Sequence, residues 1–248
     1  LYVYKIHVSK TKVVIIGPKS DQDYFKDVKP WTLYGETIPV EDDNEHLGNI
    51  VSGDKEVEKN IDENMARTRG SLFSLLGPVF SPKCTVGPLL MCHIWKTYSS
   101  PVLRSGMSAL VLQPSHIPLH RFHRKTLRSF LRLSDRSPIP ALYLLLGECP
   151  MDGQLEMDVL SLFWSIWNHP ETKIAEIVPY ILTVCQDNSR TWSNNVRNIC
   201  KKYGLPDPLK LLQSHTVSKT SWKDQVKRAV TSVSYTHLRA HETSLQLV

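Results

Sequence analysis

Apolar residues in the first 56 positions occur in short runs that are separated by turn residues. The β-branched run Val13–Ile16 ends at a Gly-Pro pair and predicts a short strand. The runs 31–33 and 37–40 flank a glycine-containing turn and predict a hairpin. A last run, 46–51, predicts another strand after the acidic segment 41–45, which is expected to be a solvated loop. This part of the chain is expected to be one edge of an α+β domain.

From about Val57 onward, the apolar residues recur at helical spacing. Pro101 is expected to end or kink the predicted helix 83–99. Gly204 and the pair Asp207-Pro208 have the pattern of the end of one helix followed by the start of the next. The predicted helices are 57–76, 83–99, 119–133, 157–168, 174–185, 192–203 and one that begins at Pro208. We therefore predict an α+β fold that is mostly α.

The composition indicates a globular chain with more than one compact unit, because 41% of its 248 residues are hydrophobic. No apolar run is long enough for a membrane span, and the first residues lack the pattern of a signal peptide. We expect an intracellular protein without a membrane partner. The 5 cysteines are scattered, so free and mostly buried thiols are expected rather than a disulfide framework or a zinc ribbon.

Positive charge is concentrated in the middle of the sequence. Residues 1–60 have 8 Lys against 11 acids, a balance of −3. Residues 61–150 have 11 Lys and Arg against 4 acids, which gives +7, and residues 151–248 have 11 against 9, which gives +2. A concentrated positive region favours a polyanionic partner, because counterion release from phosphates drives binding without regard to sequence.

The predicted helix 119–133 contains no acidic residue. Its cations fall mainly at positions i, i+4, i+7 and i+11, away from the apolar residues. They are Arg121, Arg124, Lys125, Arg128 and Arg132. A row of charges is also what the solvated face of any surface helix shows, but the absence of acids and the basic surroundings favour contact with phosphates.

Several short strings resemble segments of the reverse transcriptases of non-LTR (LINE-type) retrotransposons. Lys5–Val13, with its Lys-Thr-Lys run, resembles the segment that follows the catalytic hairpin in that family. Glu45–Gly48 resembles the primer-grip hairpin, and Asn60–Arg67 resembles the first helix of the thumb. The family usually has Asn where this chain has His7.

The most specific resemblance is to the thumb and the helical region beyond it. The strings that carry it are His93–Tyr98, Pro101–Leu103, Phe122–Pro138, Ala141–Tyr143, Leu146–Glu148 and Tyr203–Pro208. The resemblance covers roughly residues 1–213. It implies a palm remnant with a short β-hairpin over 1–56, thumb-like helices over 57–113 and a helical post-thumb region over 114–213.

Two predictions concern the segment after this region. Residues 214–233 are expected to be a linker or a fraying helix, because the apolar period fades there. The string Tyr235–Thr243 resembles a translated sequencing adapter, so residues 234–248 are expected to be a non-native tail. The alternative is a genuine polar tail.

The resemblance implies a piece of an RNA-directed DNA polymerase whose partners are RNA and DNA, within a retrotransposon ribonucleoprotein of the nucleus or cytoplasm. The family's Ala-Asp-Asp hairpin is expected to precede residue 1, so no catalytic residue and no small-molecule substrate are expected in this chain. Mg²⁺ is expected for the intact polymerase and no cofactor for this part of it. A competing hypothesis is a non-enzymatic, basic helical interaction module.

Further candidate nucleic-acid contacts lie outside the basic helix. Arg67, Arg69 and Lys96, in the thumb-like segment, are candidates for holding the backbone of a duplex. Lys10 and Lys12 are candidates for contact with the nucleotide or the template, although lysines also keep an edge strand soluble.

Two residue groups are candidate metal ligands. Asp42-Asp43 is an adjacent carboxylate pair, but it lies in a run of like charge, which is usually a solvated segment. His116, His120 and His123 have helical spacing, but Lys and Arg neighbours would repel a cation. No metal site is expected at either group. Trp95, Trp164 and Trp192 lie on apolar helix faces and are expected in the core rather than stacked on bases.

Overall fold

A computed structural model describes residues 6–27, 30–77, 86–111, 117–169, 171–184, 191–213 and 217–245. Over these ranges the fold is α+β and mostly α, as predicted, because helices dominate and the strands form small two-stranded sheets. The chain divides into two compact units, Leu1–Glu63 and Asn64–Val248. The predicted helix start at residue 83, His116 and the cysteines Cys84 and Cys185 lie outside the described residues.

The first unit contains the strands and two helical segments. A 3₁₀ turn, Val8–Lys10, precedes the first strand. The strands are β1 (Val13–Val14), β2 (Thr32–Leu33), β3 (Glu36–Thr37), β4 (Val40–Glu41), β5 (Asp43–His46) and β6 (Asn49–Ser52). Helix α1 (Lys19–Asp27) lies between β1 and β2. Helix α2 (Glu56–Leu76) begins after β6 in this unit, and its part from Asn64 onward belongs to the second unit.

Three sheets of two strands each form in this unit. β1 pairs with β4 in parallel, β2 with β3 in antiparallel fashion, and β5 with β6 in antiparallel fashion. The predicted hairpin is present: Tyr34 and Gly35 adopt positive φ angles of 54° and 85° at its turn, as a tight hairpin requires. Leu47 and Gly48, expected within a strand, instead form a second turn of this kind with φ of 50° and 81°. The acidic segment is therefore largely strand, not loop, since Asp43 begins β5.

The second unit is helical. Its helices are α3 (Pro88–Ile94), α4 (Ser100–Leu103), α5 (Ile117–Leu131), α6 (Ile139–Leu146), α7 (Met151–Trp167), α8 (Lys173–Val184), α9 (Trp192–Lys202), α10 (Pro208–Gln213) and α11 (Lys219–Leu245). A π turn, Trp95–Ser99, joins α3 to α4, and a 3₁₀ turn, Met107–Ala109, follows α4. Pro101 does not end the helix, because it lies in the first turn of α4 directly after the wider π turn.

The start and end of α9 agree with the sequence pattern. The hydroxyl of Thr191 accepts a hydrogen bond from the backbone N–H of Asn194, which caps the helix. Gly204 adopts a left-handed φ of 63°, and the N–H of Leu205 donates to the carbonyl of Cys200. The carboxylate of Asp207 then accepts from the N–H of Leu209 at the start of α10. These contacts confirm the predicted stop and restart.

The core of the C-terminal helices includes residues from α11. Its buried members are Val159, Leu160, Phe163, Trp167, Val196, Ile199, Cys200, Tyr203, Leu211, Trp222, Val226 and Val230. Trp222 also donates from its indole N–H to the carbonyl of Leu160 at 3.0 Å. Of the two alternatives for 214–233, a linker or a fraying helix, the linker is wrong from Lys219 onward, where the chain forms α11. Trp222, Val226 and Val230 recur at four-residue spacing, and Ala229 and Val233 pack beside them, so one face of α11 is apolar and docks on the core.

Gly153 permits the close approach of α7 and α11. A Cβ atom at this position would lie 2.6 Å from the Sγ of Cys149 and 2.9 Å from a methyl of Val230. Such distances are too short for any side chain other than hydrogen. Among the described residues, no helix is both long enough and apolar enough to span a bilayer.

Candidate nucleic-acid interface

Helix α5 turns one face to the interior and the opposite face to solvent. Its buried residues are Leu119, His123, Thr126, Leu127 and Phe130. Arg121 and Lys125 are exposed on the other side, and Arg124 and Arg128 are half-buried. We call Arg121, Arg124, Lys125 and Arg128 the basic face of α5. The helix contains no carboxylate of its own.

The bounds of α5 differ from the prediction at both ends. The helix begins at Ile117 and accommodates Pro118 in its first turn, where no backbone N–H is needed. It ends at Leu131 because Arg132 adopts a left-handed φ of 52°, and the N–H of Leu133 donates to the carbonyl of Arg128. Arg132 therefore follows the helix and does not extend its basic face by another turn.

An aromatic cluster under α5 fixes the direction in which the basic face points. Trp95 is fully buried, and its ring stacks on His123 with 5.7 Å between centroids. Phe130 and Phe122 contact the same indole at 6.3 and 6.4 Å, and Tyr143 lies 5.8 Å from His123. Rotation of α5 would expose this cluster, so apolar burial holds the cations in place.

His123 is a core residue and not a metal ligand in this arrangement. Neither ring nitrogen has a hydrogen-bond partner among the described residues. Burial and, to a smaller extent, the nearby His120, Arg104 and Arg124 together lower the pKa of His123 to about 3. His120 instead places its Nε2 atom 2.9 Å from the carboxylate of Asp152. The ring of His123 is thus neutral and acts as an aromatic side chain.

Two cations of the basic face are partly held by backbone carbonyls. Arg124 donates from Nε to the carbonyl of His120 at 3.2 Å, and Arg128 donates from an Nη atom to the carbonyl of Ser137 at 2.9 Å. These bonds orient the guanidinium groups and leave their positive charge uncompensated. A guanidinium has five N–H donors, so donors remain for a phosphate.

The structure places the other thumb-like candidates differently. Arg69 is exposed on α2, and its guanidinium carbon lies 5.5 Å from the ring centroid of Phe122, at the margin of α5. Arg67 is half-buried on α2. Lys96 is on the π turn, where its Nζ lies 3.5 Å from the carboxylate of Glu148 and faces a cavity rather than the basic face. Arg69 therefore lies beside α5.

The candidates in the first unit are exposed lysines. Lys10 is exposed at the end of the 3₁₀ turn, and Lys12 places its Nζ 2.7 Å from the carboxylate of Glu41. The adjacent acids are bonded in the same way: Asp42 to Lys26, and Asp43 to Lys59 at 2.8 Å. The bond from Lys26 lowers the pKa of Asp42. The carboxylates of this pair are thus in contact with lysines.

A cavity of about 420 Å³ contains charged residues that the sequence did not single out. Arg104 and Lys227 line it together with Lys96 and Glu148. Arg104 was overlooked because nothing in the local sequence distinguishes it from other surface arginines. The sequence did not single out Lys227 because it lies in the segment 214–233, although Trp222, Val226 and Val230 recur there at helical spacing.

Glu148 is positioned by the end of α6. Gly147 adopts a left-handed φ of 59°, and the N–H of Glu148 donates to the carbonyl of Tyr143 at 2.9 Å. The side chain is then buried, where its carboxylate accepts from the thiol of Cys92 at 3.2 Å. Burial raises the pKa of Glu148, and burial together with this carboxyl raises the pKa of Cys92 to about 12. Cys92 is therefore an unreactive thiol.

The predicted character of the cysteines and tryptophans is confirmed for the residues that the structure describes. Cys92, Cys149 and Cys200 are free thiols, two of them buried. Trp95 is buried, and Trp164 and Trp192 are partly buried with their indole N–H groups donating to the carbonyls of Val217 and Ser108.

Nothing in the described ranges brings three or more His, Cys, Asp or Glu side chains together in a way that could hold a metal ion. Comparison of the chain with protein-family models, with curated proteins and with solved structures finds no match.

Proposed function

We propose that this chain is part of the RNA-directed DNA polymerase of a non-LTR retrotransposon, in which it holds nucleic acid through the basic face of α5. The observation that carries the proposal is the orientation of α5, whose cations face solvent opposite a buried aromatic cluster and without a carboxylate in the helix. The resemblance of the segments around Lys96 and Phe122–Pro138 to the thumb region of that family supports the same conclusion.

The spacing of the cations fits a phosphate backbone. Arg121 and Arg128 are seven residues apart on α5, which corresponds to roughly 10 Å along a helix axis. A duplex carries one negative charge per roughly 1.7 Å of its axis, so several phosphates lie within reach of the basic face. Such contacts position a strand without identifying its bases. The proposed activity is therefore binding with little sequence preference.

The salt dependence of binding tests this proposal. The variant Arg121→Gln/Lys125→Gln removes two exposed cations that lie away from the core. The slope of log K against log salt concentration for an RNA–DNA duplex should become less steep by about 1.8, since each phosphate contact contributes about 0.9. Fluorescence anisotropy at several salt concentrations measures this slope.

The matched control is Lys173→Gln/Lys201→Gln, which makes the same change in net charge at exposed positions of α8 and α9. It should leave the slope close to that of the unaltered chain. Equal effects of the two variants would show that binding depends on net charge alone and would refute a localised interface.

A specific feature of α8 favours a second candidate function, that of a protein interaction module. Ile174, Ile177, Tyr180 and Val184 share one side of α8, and each is more than half exposed. Contiguous apolar surface of this kind is uncommon on monomeric proteins and often marks a protein interface. If the α5 variant and its control bound the duplex equally well, this alternative would be favoured.

A further inference from the structure

The cavity in the second unit has the size of a small-molecule site. Its volume of about 420 Å³ falls within the range of roughly 300–1,000 Å³ that is typical of ligand pockets. The π turn, α4, the start of α7 and α11 supply its walls. Its polar and charged lining includes Lys96, Ser100, Arg104, Glu148, Lys227 and Thr231, and Pro150 also lines it.

Positive charge exceeds negative charge on the lining. The lining has three cations, Lys96, Arg104 and Lys227. Glu148 is the only acidic residue among the described residues that line the cavity. Glu148 is already surrounded by donors, since Cys92 donates to it and Lys96 lies 3.5 Å away. The cavity is therefore suited to an anion.

The cations differ in how far other residues compensate them. Arg104 is bonded to Asp158 through one Nη and contacts the hydroxyl of Ser100 through Nε at 3.4 Å, which fixes its plane. Lys227, one turn beyond Lys223 on α11, has no carboxylate partner among the described residues. It therefore supplies a full positive charge that nothing else in the described cavity neutralises.

The other polar features of the wall are also donors. Pro150 is the N-cap of α7, so the positive end of a 17-residue helix lies at the cavity. The hydroxyl of Thr231 adds a neutral donor. The hydroxyl of Ser100 already donates to the side-chain oxygen of Gln154 at 3.3 Å. Arginine, lysine, hydroxyl and helix N-terminus together are the groups that bind the oxygens of a phosphate.

We propose that this cavity binds a phosphate monoester through Lys96, Arg104 and Lys227. With Glu148 and Asp158 counted, the charge around the cavity is still positive, and the several oxygens of a phosphate monoester can accept from more than one of these cations at once. The phosphate can belong to a free nucleotide or to the end of a nucleic-acid strand, since both present the same group. The site is separate from the basic face of α5 and does not depend on the function proposed for that face.

Titration calorimetry of the full chain with AMP and with adenosine, in phosphate-free buffer, tests the proposal. AMP should bind at least about tenfold more tightly than adenosine, because only AMP offers charge-assisted hydrogen bonds to the cations. Lys227→Gln should weaken AMP binding by about tenfold, since it removes the uncompensated cation without disturbing the core. Lys219→Gln is the matched control, because Lys219 is on the same helix but lies over the ring of Trp164, outside the cavity.

Two results would overturn the proposal. One is equal affinity for AMP and adenosine, including no binding of either. The other is an equal response of the Lys227→Gln and Lys219→Gln variants to AMP.

Two further measurements locate the ligand and separate this site from α5. Tetranucleotides with a 5′-phosphate or a 5′-hydroxyl distinguish the two sources of phosphate. If the chain prefers the phosphorylated strand and Lys227→Gln abolishes this preference, the ligand is the end of a strand. If AMP binds but the chain shows no such preference, the ligand is a free nucleotide. The Arg121→Gln/Lys125→Gln variant should keep its affinity for AMP. Loss of AMP binding in that variant would place the phosphate on α5 and refute the cavity site.

Discussion

The two compact units are stabilised by different kinds of contact. Among the described residues of the first unit, Ile38 and Ile61 are the buried apolar side chains. Its hairpin β5–β6 is held instead by Asn60, whose side-chain amide bonds both the N–H and the carbonyl of Ile50. The second unit buries aromatic and aliphatic side chains from almost every helix, including Trp95, Phe163 and Trp222.

This difference determines what the charged residues do. In the first unit, the successive acids Glu41, Asp42 and Asp43 each bond a lysine, so Lys12, Lys26 and Lys59 are occupied by structural contacts. In the second unit, an apolar core holds α5, and its cations are not needed to keep the helix in place. A count of lysines and arginines would not have distinguished the two regions, whereas their surroundings do.

The largest expected effect is the loss of stability when the apolar core of the second unit is opened. Trp222→Ala removes a side chain that is 1% exposed and donates to Leu160. We expect the free energy of unfolding to fall by about 3–5 kcal/mol, which is typical of buried Trp to Ala substitutions. Urea denaturation followed by circular dichroism measures it.

Trp31→Ala serves as the control in the first unit, because Trp31 is 42% exposed. Its effect should be about 1 kcal/mol or less, as for most surface substitutions. If the two variants lost equal stability, the contrast between a polar first unit and an apolar second unit would not hold.

The next effect concerns the neutral histidine under α5. The pKa of His123 is about 3 in the folded chain against an ordinary 6.5, so the unfolded chain binds a proton in this range and the folded chain does not. Stability conferred by the neutral ring is complete above pH 6.5 and decreases toward pH 3, by about 1.4 kcal/mol per pH unit.

His123→Met should remove this part of the pH dependence, since methionine fills a similar volume and does not titrate. Urea denaturation at pH 7.0 and 5.5 would show a smaller loss of stability for the variant than for the unaltered chain. Identical losses would mean that protonation of His123 is not linked to unfolding.

The smallest effects are expected from the ion pairs of the first unit. Lys12 and Lys59 are each about one third exposed, so Lys12→Gln or Lys59→Gln should cost roughly 0–1 kcal/mol of stability. The double variant should also change affinity for an RNA–DNA duplex by less than about twofold at constant salt. A larger loss of affinity would show that these lysines contact nucleic acid and would remove the distinction from α5.

Much of the second unit follows from local sequence. The helix end at Gly204 and the helix start at Asp207 appear in the structure as expected, because left-handed backbone and side-chain capping are properties of a few neighbouring residues. The docking of α11 was not predictable in this way. Its Trp222, Val226 and Val230 look sparse in isolation and become a core face only when α7 presents Gly153 and Leu160 to them.

The candidate interface shows the same division. The absence of acids between 117 and 131 is visible in the sequence, and it predicts a basic helix. The sequence did not reveal that Arg132 leaves the helix or that Lys96 faces a cavity with Arg104 and Lys227. Lys96 and Lys227 are 131 positions apart in the sequence, and no local pattern links them.

For this protein, the sequence by itself determined the class of fold, most helices, the turn at Tyr34-Gly35 and the concentration of charge in the middle of the chain. Backbone preference and hydrophobic period act over a few residues, so these features can be recognised without a structure. Only the tertiary structure decided which cations are compensated, which histidine is buried and which distant residues surround one cavity. Burial and long-range pairing set the energy of each charge, and both depend on the assembled core.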